Sequence, residues 1–94
     1  MVIRSSRCKK TKRLFQRERV KEFAHIATVA LRRLVALDSA QTLSDLLMPP
    51  SNRLEGLRCD REGQYSIRIN DQYRICFKWR EGTVEDVEIT KHYR

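Results

Sequence analysis

The stretch "YSIRINDQYRICFKW", residues 65–79, decides the fold because apolar and polar residues alternate on both sides of a short polar loop. Alternation with a period of two is typical of half-buried β-strands. The stretch therefore predicts two antiparallel strands joined at Asn70-Asp71-Gln72. The apolar residues of one parity are expected to face a core: Tyr65, Ile67, Ile69, Tyr73, Ile75, Phe77 and Trp79.

The length of the first loop predicts which side chains face each other across the hairpin. Directly opposed residues of an antiparallel pair lie on the same face. A three-residue loop at 70–72 therefore sets Arg68 opposite Arg74, on the face away from the core. Opposed like charges cost about 0.2–1 kcal/mol. Either a nearby acid, Asp71 or Glu88, relieves this pair, or the two guanidinium groups form a phosphate site, which suits the planar fork of arginine.

A second hairpin follows the first. The same parity argument predicts another three-residue loop, Glu81-Gly82-Thr83, with Gly82 at a positive φ. The last strand then runs from Val84 to Lys91. In this register Lys78 faces Asp86 as a cross-strand ion pair.

The first half of the chain predicts one short strand and two helices. Val2–Ser6 is expected to be an edge strand. A basic helix near Thr11–Arg19 and a break near Arg19–Lys21 come next. Met48-Pro49-Pro50-Ser51 is expected to be extended, because proline cannot continue a helix and restricts the residue before it. The second helix is predicted by apolar residues at helical spacing: Phe23, Ile26, Ala27, Ala30, Leu31, Leu34 and Leu37.

Length and charge limit the function classes. The chain has 94 residues, which suits one domain over residues 1–94, and a net charge of +8, which favours an anionic partner. The three cysteines have no paired spacing and the two histidines are far apart, so no metal site or cofactor is expected. The odd cysteine count and the lack of a signal peptide or membrane span predict a cytoplasmic protein.

Three segments carry a family resemblance. The run "NRLEGLRCDREGQYSIRINDQYRICFKW", the later "DVEIT" and the opening "MVIRSSRCKKTKRLF" resemble the HigB branch of the RelE/ParE toxin superfamily. The resemblance implies an α+β fold of order β-α-α-β-β-β, in which two helices pack on one face of an antiparallel sheet and leave a basic open face. It implies a toxin of a type II toxin–antitoxin system, a metal-independent endoribonuclease that cleaves mRNA on the ribosome. The implied partners are the ribosome, mRNA and a HigA-type helix-turn-helix antitoxin, in a higher-order complex.

The resemblance also implies roles for particular residues. Arg74 matches the phosphate-binding arginine, and the implied catalytic set is Arg74, His92, Tyr93 and Glu55. The implied RNA-binding residues are Arg53, Arg58, Arg68 and Lys91. The chain departs from the family at its end, since HigB toxins close on Asp-Tyr-His and the corresponding residues here are Lys91, His92 and Tyr93. Which of Glu55, His92 and Tyr93 is the acid and which the base stays open.

This departure leaves two other functions open. One is a ParE-like toxin that keeps the fold and inhibits a protein such as DNA gyrase without cleaving RNA. The other is a non-catalytic module that binds RNA or an antitoxin. The basic sheet face and the presence of Arg74 favour the ribonuclease.

Overall fold

The computed structural model describes residues 2–56 and 63–91. The described strands are β1 Val2–Ile3, β2 Glu55–Gly56, β3 Gln64–Arg68, β4 Tyr73–Arg80 and β5 Thr83–Lys91. The described helices are α1 Lys9–Phe15 and α2 Ala27–Ser39, with short 3₁₀ helices at Lys21–Phe23, Leu43–Leu47 and Pro50–Asn52. The predicted order of one strand, two helices and three strands is confirmed, and β2 is an addition to it.

The described strands form a mixed sheet in the order β1-β5-β4-β3-β2. The neighbours β2 to β5 pair antiparallel, as expected, whereas β1 runs parallel to β5 with Val2 beside Thr83. Parallel neighbours need a long connection, and the helical layer between β1 and the later strands provides one. The prediction of an antiparallel sheet is therefore wrong only at the β1 edge.

The break between the helices is longer than predicted. The first helix ends at Phe15, because Arg17 adopts a left-handed conformation (φ 69°) and its guanidinium donates a hydrogen bond to the Phe15 carbonyl oxygen. The charged residues that follow have little apolar surface to bury against the core, so the predicted extension to Arg19 does not form. Phe23 and Ile26 are buried as predicted, but both precede α2.

The core lies between the helices and one face of the sheet. Its fully buried side chains include Ala30, Leu34, Leu37, Ile67, Ile75, Phe77, Val84 and Val87. Two hydrogen bonds also attach the helices to the strands. The Thr11 hydroxyl accepts a hydrogen bond from the Ile89 amide (3.0 Å), and the Asp38 carboxylate accepts one from the Ile3 amide (2.9 Å). No helix in residues 2–56 and 63–91 is long and apolar enough to cross a membrane.

The hairpin of β3 and β4 has the predicted register. Tyr65 lies opposite Phe77, and Arg68 lies opposite Arg74. The side-chain oxygen of Asn70 accepts hydrogen bonds from the amides of Gln72 and Tyr73, both at 2.8 Å, which closes the loop. The core parity that follows from the three-residue loop is confirmed.

The second hairpin differs from its prediction. Its loop has two residues, Glu81 and Gly82, both at positive φ, and Thr83 already pairs with Arg80. The predicted three-residue loop is wrong, although the positive φ of Gly82 is confirmed.

A β-bulge in β5 compensates for the shorter loop. The register shifts between Cys76 and Lys78, and Asp86 has a φ of 53°, so two residues of β5 oppose one of β4. Beyond the bulge, Thr90 faces Arg74 as predicted. Lys78 pairs with Glu85 along the backbone, but its ammonium still lies 3.8 Å from the Asp86 carboxylate.

Candidate active site on the sheet face opposite the helices

Arg74 is a buried cation at the centre of the sheet. It projects from β4 on the side away from the core, yet only 8% of it is exposed. Its Nε donates to the Ser66 hydroxyl oxygen at 2.8 Å, and its Nη2 donates to the Arg53 carbonyl oxygen at 2.6 Å and the Ser66 carbonyl oxygen at 3.3 Å. These acceptors are neutral, so they hold the guanidinium in place without cancelling its charge.

The Arg53 carbonyl reaches Arg74 because the preceding residues form a tight turn. Pro49 is extended, and the 3₁₀ helix Pro50–Asn52 begins directly after it, so the predicted extended segment ends earlier than expected. Arg53 then adopts the left-handed conformation (φ 45°), which turns the chain into β2.

Asn52 stabilises this turn from the inside. Its side chain is 1% exposed and donates to the carbonyl oxygens of Leu46 (3.1 Å) and Met48 (3.2 Å). An outer contact is made by Arg33 of α2, whose Nη2 donates to the Ser51 hydroxyl at 3.3 Å. The turn that carries Arg53 is thus attached both to the loop before it and to the helical layer.

Glu55 places a carboxylate beside Arg74. The strand β2 pairs with β3 so that Glu55 lies opposite Ser66, the same residue that accepts from Arg74. One Glu55 carboxylate oxygen is 3.9 Å from Arg74 Nη2, and its side chain is 57% exposed. A buried, fixed cation therefore lies next to a carboxylate that solvent or a ligand can reach.

Arg68 is held differently from Arg74. It forms an ion pair with Asp71 of the adjacent loop, so one of the acids considered from the sequence does relieve the arginine pair. Burial, and then the positive charges of Arg32 and Arg68, hold the pKa of Arg33 below its usual value. Arginine stays protonated even so.

The structure brings together only some of the residues predicted from the sequence. Arg74 lies beside Glu55 and the backbone of Arg53. The Arg53 side chain is exposed, and it is the Arg53 carbonyl oxygen that binds Arg74. Lys91 pairs with Tyr73, so it has the parity of the helix-covered face and not that of Arg74. The predicted residues Arg58, His92 and Tyr93 lie outside the described residues.

The face around Arg74 is less open than the prediction assumed. Gln64, Ser66, Arg74 and Cys76 are all buried there, while Arg68, Lys78, Glu88 and Thr90 remain partly exposed. The addition of β2 beside β3 and the turn before it cover the Ser66 side. Arg74 is consequently a recessed cation at the margin of an exposed polar strip.

Ser66 and Asn52 are structural members of the site that the sequence prediction missed. Ser66 could have been found, because it shares the parity of Arg68 and Arg74 and falls between apolar positions of β3. Asn52 had a weaker signal, since only its position after two prolines suggested a turn. Neither residue belongs to a recognisable catalytic pattern.

The family comparison covers nearly the whole sequence. The family model of RelE-like toxins of the type II toxin–antitoxin system HigB matches residues 4–92. The chain belongs to this family of HigB-like toxins. Its relatives include Toxin HigB-1 of Vibrio cholerae, 42% identical over 67 residues, which are 71% of this chain and 70% of that protein. An uncharacterised protein of Haemophilus influenzae is 32% identical over 69 residues, covering 73% and 68% of the two chains.

Solved structures of RelE-type toxins share the fold of this HigB-like toxin. The YoeB–YefM complex of Staphylococcus aureus matches with a TM-score of 0.62 at 15% identity, covering 99% of this chain and 100% of that one. A point mutant of YafQ from E. coli matches with a TM-score of 0.59 at 14% identity, covering 96% and 91%. At such low identity these likenesses establish the α+β fold, and the family membership comes from the sequence comparison.

Proposed function

We propose that this HigB-like toxin is a ribosome-dependent endoribonuclease that cleaves mRNA and is neutralised by a HigA-type helix-turn-helix antitoxin. The observation that carries the proposal is the recessed Arg74, fixed by neutral acceptors beside the exposed carboxylate of Glu55. Such a pair supplies a cation for a phosphate and a base for a hydroxyl proton. The family membership supports the toxin role and an antitoxin partner.

The proposed reaction needs one nucleophile from the RNA itself. The 2′-oxygen attacks the adjacent phosphorus and forms a new P–O bond, while Glu55 accepts the 2′-hydroxyl proton. The bond from phosphorus to the 5′-oxygen of the next nucleotide breaks, and that oxygen takes a proton from a general acid, for which His92 or Tyr93 is the candidate. The products are a 2′,3′-cyclic phosphate and a 5′-hydroxyl.

Arg74 stabilises the negative charge that grows on the phosphoryl oxygens. Arg74 donates its hydrogen bonds to the described residues from Nε and Nη2, and none of these bonds is donated by Nη1. We place the phosphate at the Nη1 side of the guanidinium. A cation that is already oriented needs no reorganisation as the charge develops, which is the condition for strong electrostatic catalysis. Arg68, Arg53 and Arg58 are the proposed contacts to the flanking RNA, whereas Lys91 is left out because it has the parity of the helix-covered face.

Inducible expression in bacteria with mapping of mRNA ends tests this function. The unchanged chain is expected to arrest growth and to produce mRNA cuts that require translation. Arg74→Ala is expected to lower cleavage by about 100-fold or more, the scale of losing one oriented transition-state donor. Arg80→Ala, an exposed arginine on the same strand, is the matched control and is expected to leave cleavage unchanged.

Other outcomes would redirect the assignment. Growth arrest with intact mRNA and accumulating DNA damage would overturn the ribonuclease in favour of a gyrase-inhibiting toxin. A chain that binds its antitoxin but arrests nothing would be a non-catalytic module. Cleavage by Arg74→Ala at the rate of the unchanged chain would remove Arg74 from the catalytic set.

A further inference from the structure

A pocket of about 450 Å³ lies where the first strand leads into α1, and we call it the β1–α1 pocket. Its apolar lining consists of Ile3 and the half-buried Phe15 at the end of the helix. The rest of its lining is polar and comes from Arg4, Ser5, Ser6, Lys12 and Gln16. The pocket is at the β1 edge of the sheet, whereas Arg74 and Glu55 lie on β4 and β2. It is therefore separate from the candidate active site.

Both walls of the β1–α1 pocket are attached to β5. On the strand side, the Ser5 hydroxyl accepts a hydrogen bond from the Asp86 amide (2.9 Å), and the Ser5 carbonyl oxygen accepts one from the Val87 amide (3.1 Å). On the helix side, the Thr11 hydroxyl accepts one from the Ile89 amide (3.0 Å). A ligand therefore meets walls that are already held in place, which lowers the entropic cost of binding.

The pocket carries two cations that no described acid neutralises. Arg4 and Lys12 are both exposed. Among the described residues, no acidic side chain lines the pocket or forms an ion pair with either cation. Lys10 and Arg13 of the same helix differ, because each of them pairs with a glutamate. A phosphate group in the pocket would therefore receive charge-assisted hydrogen bonds from two donors without competition.

Neutral donors lie beside these cations. The backbone amides of Ser5 and Ser6 donate no hydrogen bond to the described residues, and neither does the Ser6 hydroxyl or the Gln16 side chain. Backbone amides, hydroxyls and side-chain amides are the groups that commonly bind phosphate and sugar oxygens. The polar side of the pocket thus offers more donors than a single carboxylate can use.

The combination of cations, donors and an aromatic ring restricts the ligand. Inorganic phosphate would use the cations but would leave the Phe15 ring uncovered. An acidic peptide would supply charge, but an aspartate or glutamate side chain has no flat surface to cover the ring. A nucleoside phosphate satisfies both requirements, because its phosphate binds cations and its base stacks on an aromatic side chain.

We propose that the β1–α1 pocket binds a nucleoside 5′-phosphate, with the phosphate at Arg4 and Lys12 and the base against Phe15. The proposal goes beyond the endoribonuclease and does not depend on it, because neither Arg74 nor Glu55 lines the pocket. A free mononucleotide and one nucleotide of an RNA strand present the same phosphate and base, and the experiment distinguishes these two sources.

Calorimetric titration of the purified full chain with adenosine 5′-monophosphate tests the site. One nucleotide is expected to bind per chain. Inorganic phosphate is expected to bind about tenfold more weakly, because it lacks the stacking contact. Arg4→Ala and Lys12→Ala are each expected to weaken nucleotide binding by about tenfold, the scale of one hydrogen bond to a charged group.

The ring of Phe15 is tested by a pair of substitutions. Phe15→Leu keeps an apolar side chain without the aromatic face and is expected to weaken nucleotide binding by about tenfold. Phe15→Tyr keeps the ring and is expected to bind within about twofold of the unchanged chain. Melting temperatures verify that both variants fold, and the exposed Arg4 and Lys12 test the pocket independently of this packing.

Matched controls separate the pocket from the general positive charge. Arg7→Ala and Lys9→Ala each remove one exposed cation next to the pocket in the sequence but outside its lining. Both are expected to bind the mononucleotide within about twofold of the unchanged chain, as most surface substitutions are nearly neutral. Arg74→Ala is expected to bind it as tightly as the unchanged chain does.

A second titration identifies the source of the nucleotide. Its probe is a short 2′-O-methyl oligonucleotide, which lacks the free 2′-hydroxyl that the proposed cleavage requires. If the oligonucleotide binds more tightly than the mononucleotide, and Arg4→Ala and Lys12→Ala weaken both, the pocket binds one nucleotide of a strand. If the two substitutions weaken only mononucleotide binding, the ligand is a free nucleotide.

Three results would overturn the proposal. Equal weakening in the pocket variants and in Arg7→Ala and Lys9→Ala would mean diffuse attraction to a basic protein. Loss of nucleotide binding in Arg74→Ala, with full binding in Arg4→Ala and Lys12→Ala, would place the nucleotide in the candidate active site. Binding of neither the mononucleotide nor the oligonucleotide by the unchanged chain would reject the pocket as a nucleotide site, whereas the Arg74 cleavage test would still stand.

Discussion

Two arginines, Arg68 and Arg74, face each other across β3 and β4, but they differ in burial and in the groups that bind them. Arg74 is 8% exposed and is held by a hydroxyl and two backbone carbonyl oxygens. Arg68 has a side chain that is 29% exposed, and its ion-pair partner Asp71 is 93% exposed. The residue type and the strand register are the same, so the difference comes from the surrounding segments.

The difference suggests a division of roles at the proposed site. The three neutral acceptors fix the orientation of Arg74, and the nearest carboxylate, Glu55, is 3.9 Å away and belongs to the same proposed site. A cation fixed in this way favours the stabilisation of a transition state. Arg68 shares its charge with an exposed carboxylate at the surface, where ion pairs contribute little and rearrange easily. Arg68 is therefore suited to change its conformation when the proposed RNA substrate binds. Arg74 is suited to keep one geometry before and after binding.

Replacing Arg74 with lysine tests the value of that fixed orientation and has the largest expected effect. An ammonium group keeps the charge but cannot donate to Ser66 and the Arg53 carbonyl in the geometry of a planar fork. Translation-dependent cleavage by Arg74→Lys is expected to fall by about 10–100-fold, less than in Arg74→Ala because the charge remains. Single-turnover cleavage of mRNA on programmed ribosomes measures this rate.

The matched variant is Arg68→Lys on the opposing strand. Because Arg68 acts through a surface ion pair, its lysine variant is expected to cleave within a few-fold of the unchanged toxin. Equal losses of cleavage rate in the two variants would show that the burial and the neutral acceptors of Arg74 contribute nothing to catalysis beyond its charge. The structural difference between the two arginines would then have no functional consequence.

The supports of the two arginines provide a second, smaller test. Asn52→Ala removes the amide that binds the Leu46 and Met48 carbonyl oxygens. It is expected to lower the free energy of unfolding by about 1–3 kcal/mol, since the buried Leu46 acceptor loses its partner. It should also slow Arg74-dependent cleavage, because the turn before Arg53 loosens. Urea denaturation and the ribosome assay measure the two effects.

Asn70→Ala is the control at the Arg68 end. Its side-chain oxygen accepts from two loop amides near the surface, which water can replace, so the expected loss is about 0.5–1.5 kcal/mol. Cleavage is expected to change little. If Asn70→Ala impaired cleavage more than Asn52→Ala, the loop beside Arg68 would control the site instead of the turn beside Arg74.

The sequence predicted more of the strand register of the sheet than of the contacts within the candidate site. Apolar alternation set the register of β3 and β4, and it placed Arg68 against Arg74 without any structural information. Alternation failed in the second hairpin because a bulge changes parity inside β5, so that Val84 and Val87 both face the core although they are three residues apart. The residue at the bulge, Asp86, adopts its positive φ where its amide and that of Val87 donate hydrogen bonds to Ser5, which follows β1 and is distant in the sequence.

The partners of Arg74 were harder to predict for the same reason. Parity predicted the face on which Arg74 lies, but not that the Arg53 carbonyl would cover it, because that contact spans 21 residues and depends on a turn stabilised by a buried asparagine. Glu55 was proposed from the family resemblance, and its proximity to Arg74 is a structural finding. Long-range backbone contacts of this kind leave no local periodicity in the sequence.

The smallest expected effect concerns the ion pair at the Arg68 end. Asp71→Asn removes the charge next to Arg68 and is expected to lower the free energy of unfolding by only about 0.2–1 kcal/mol at low salt. Since salt screens exposed charges, the difference from the unchanged toxin should shrink in concentrated salt. Removing a competing carboxylate should at the same time strengthen RNA binding slightly. Denaturation at two salt concentrations and a binding titration with mRNA fragments measure both changes, and a large, salt-independent loss of stability would mean that Arg68, like Arg74, is fixed by its partner.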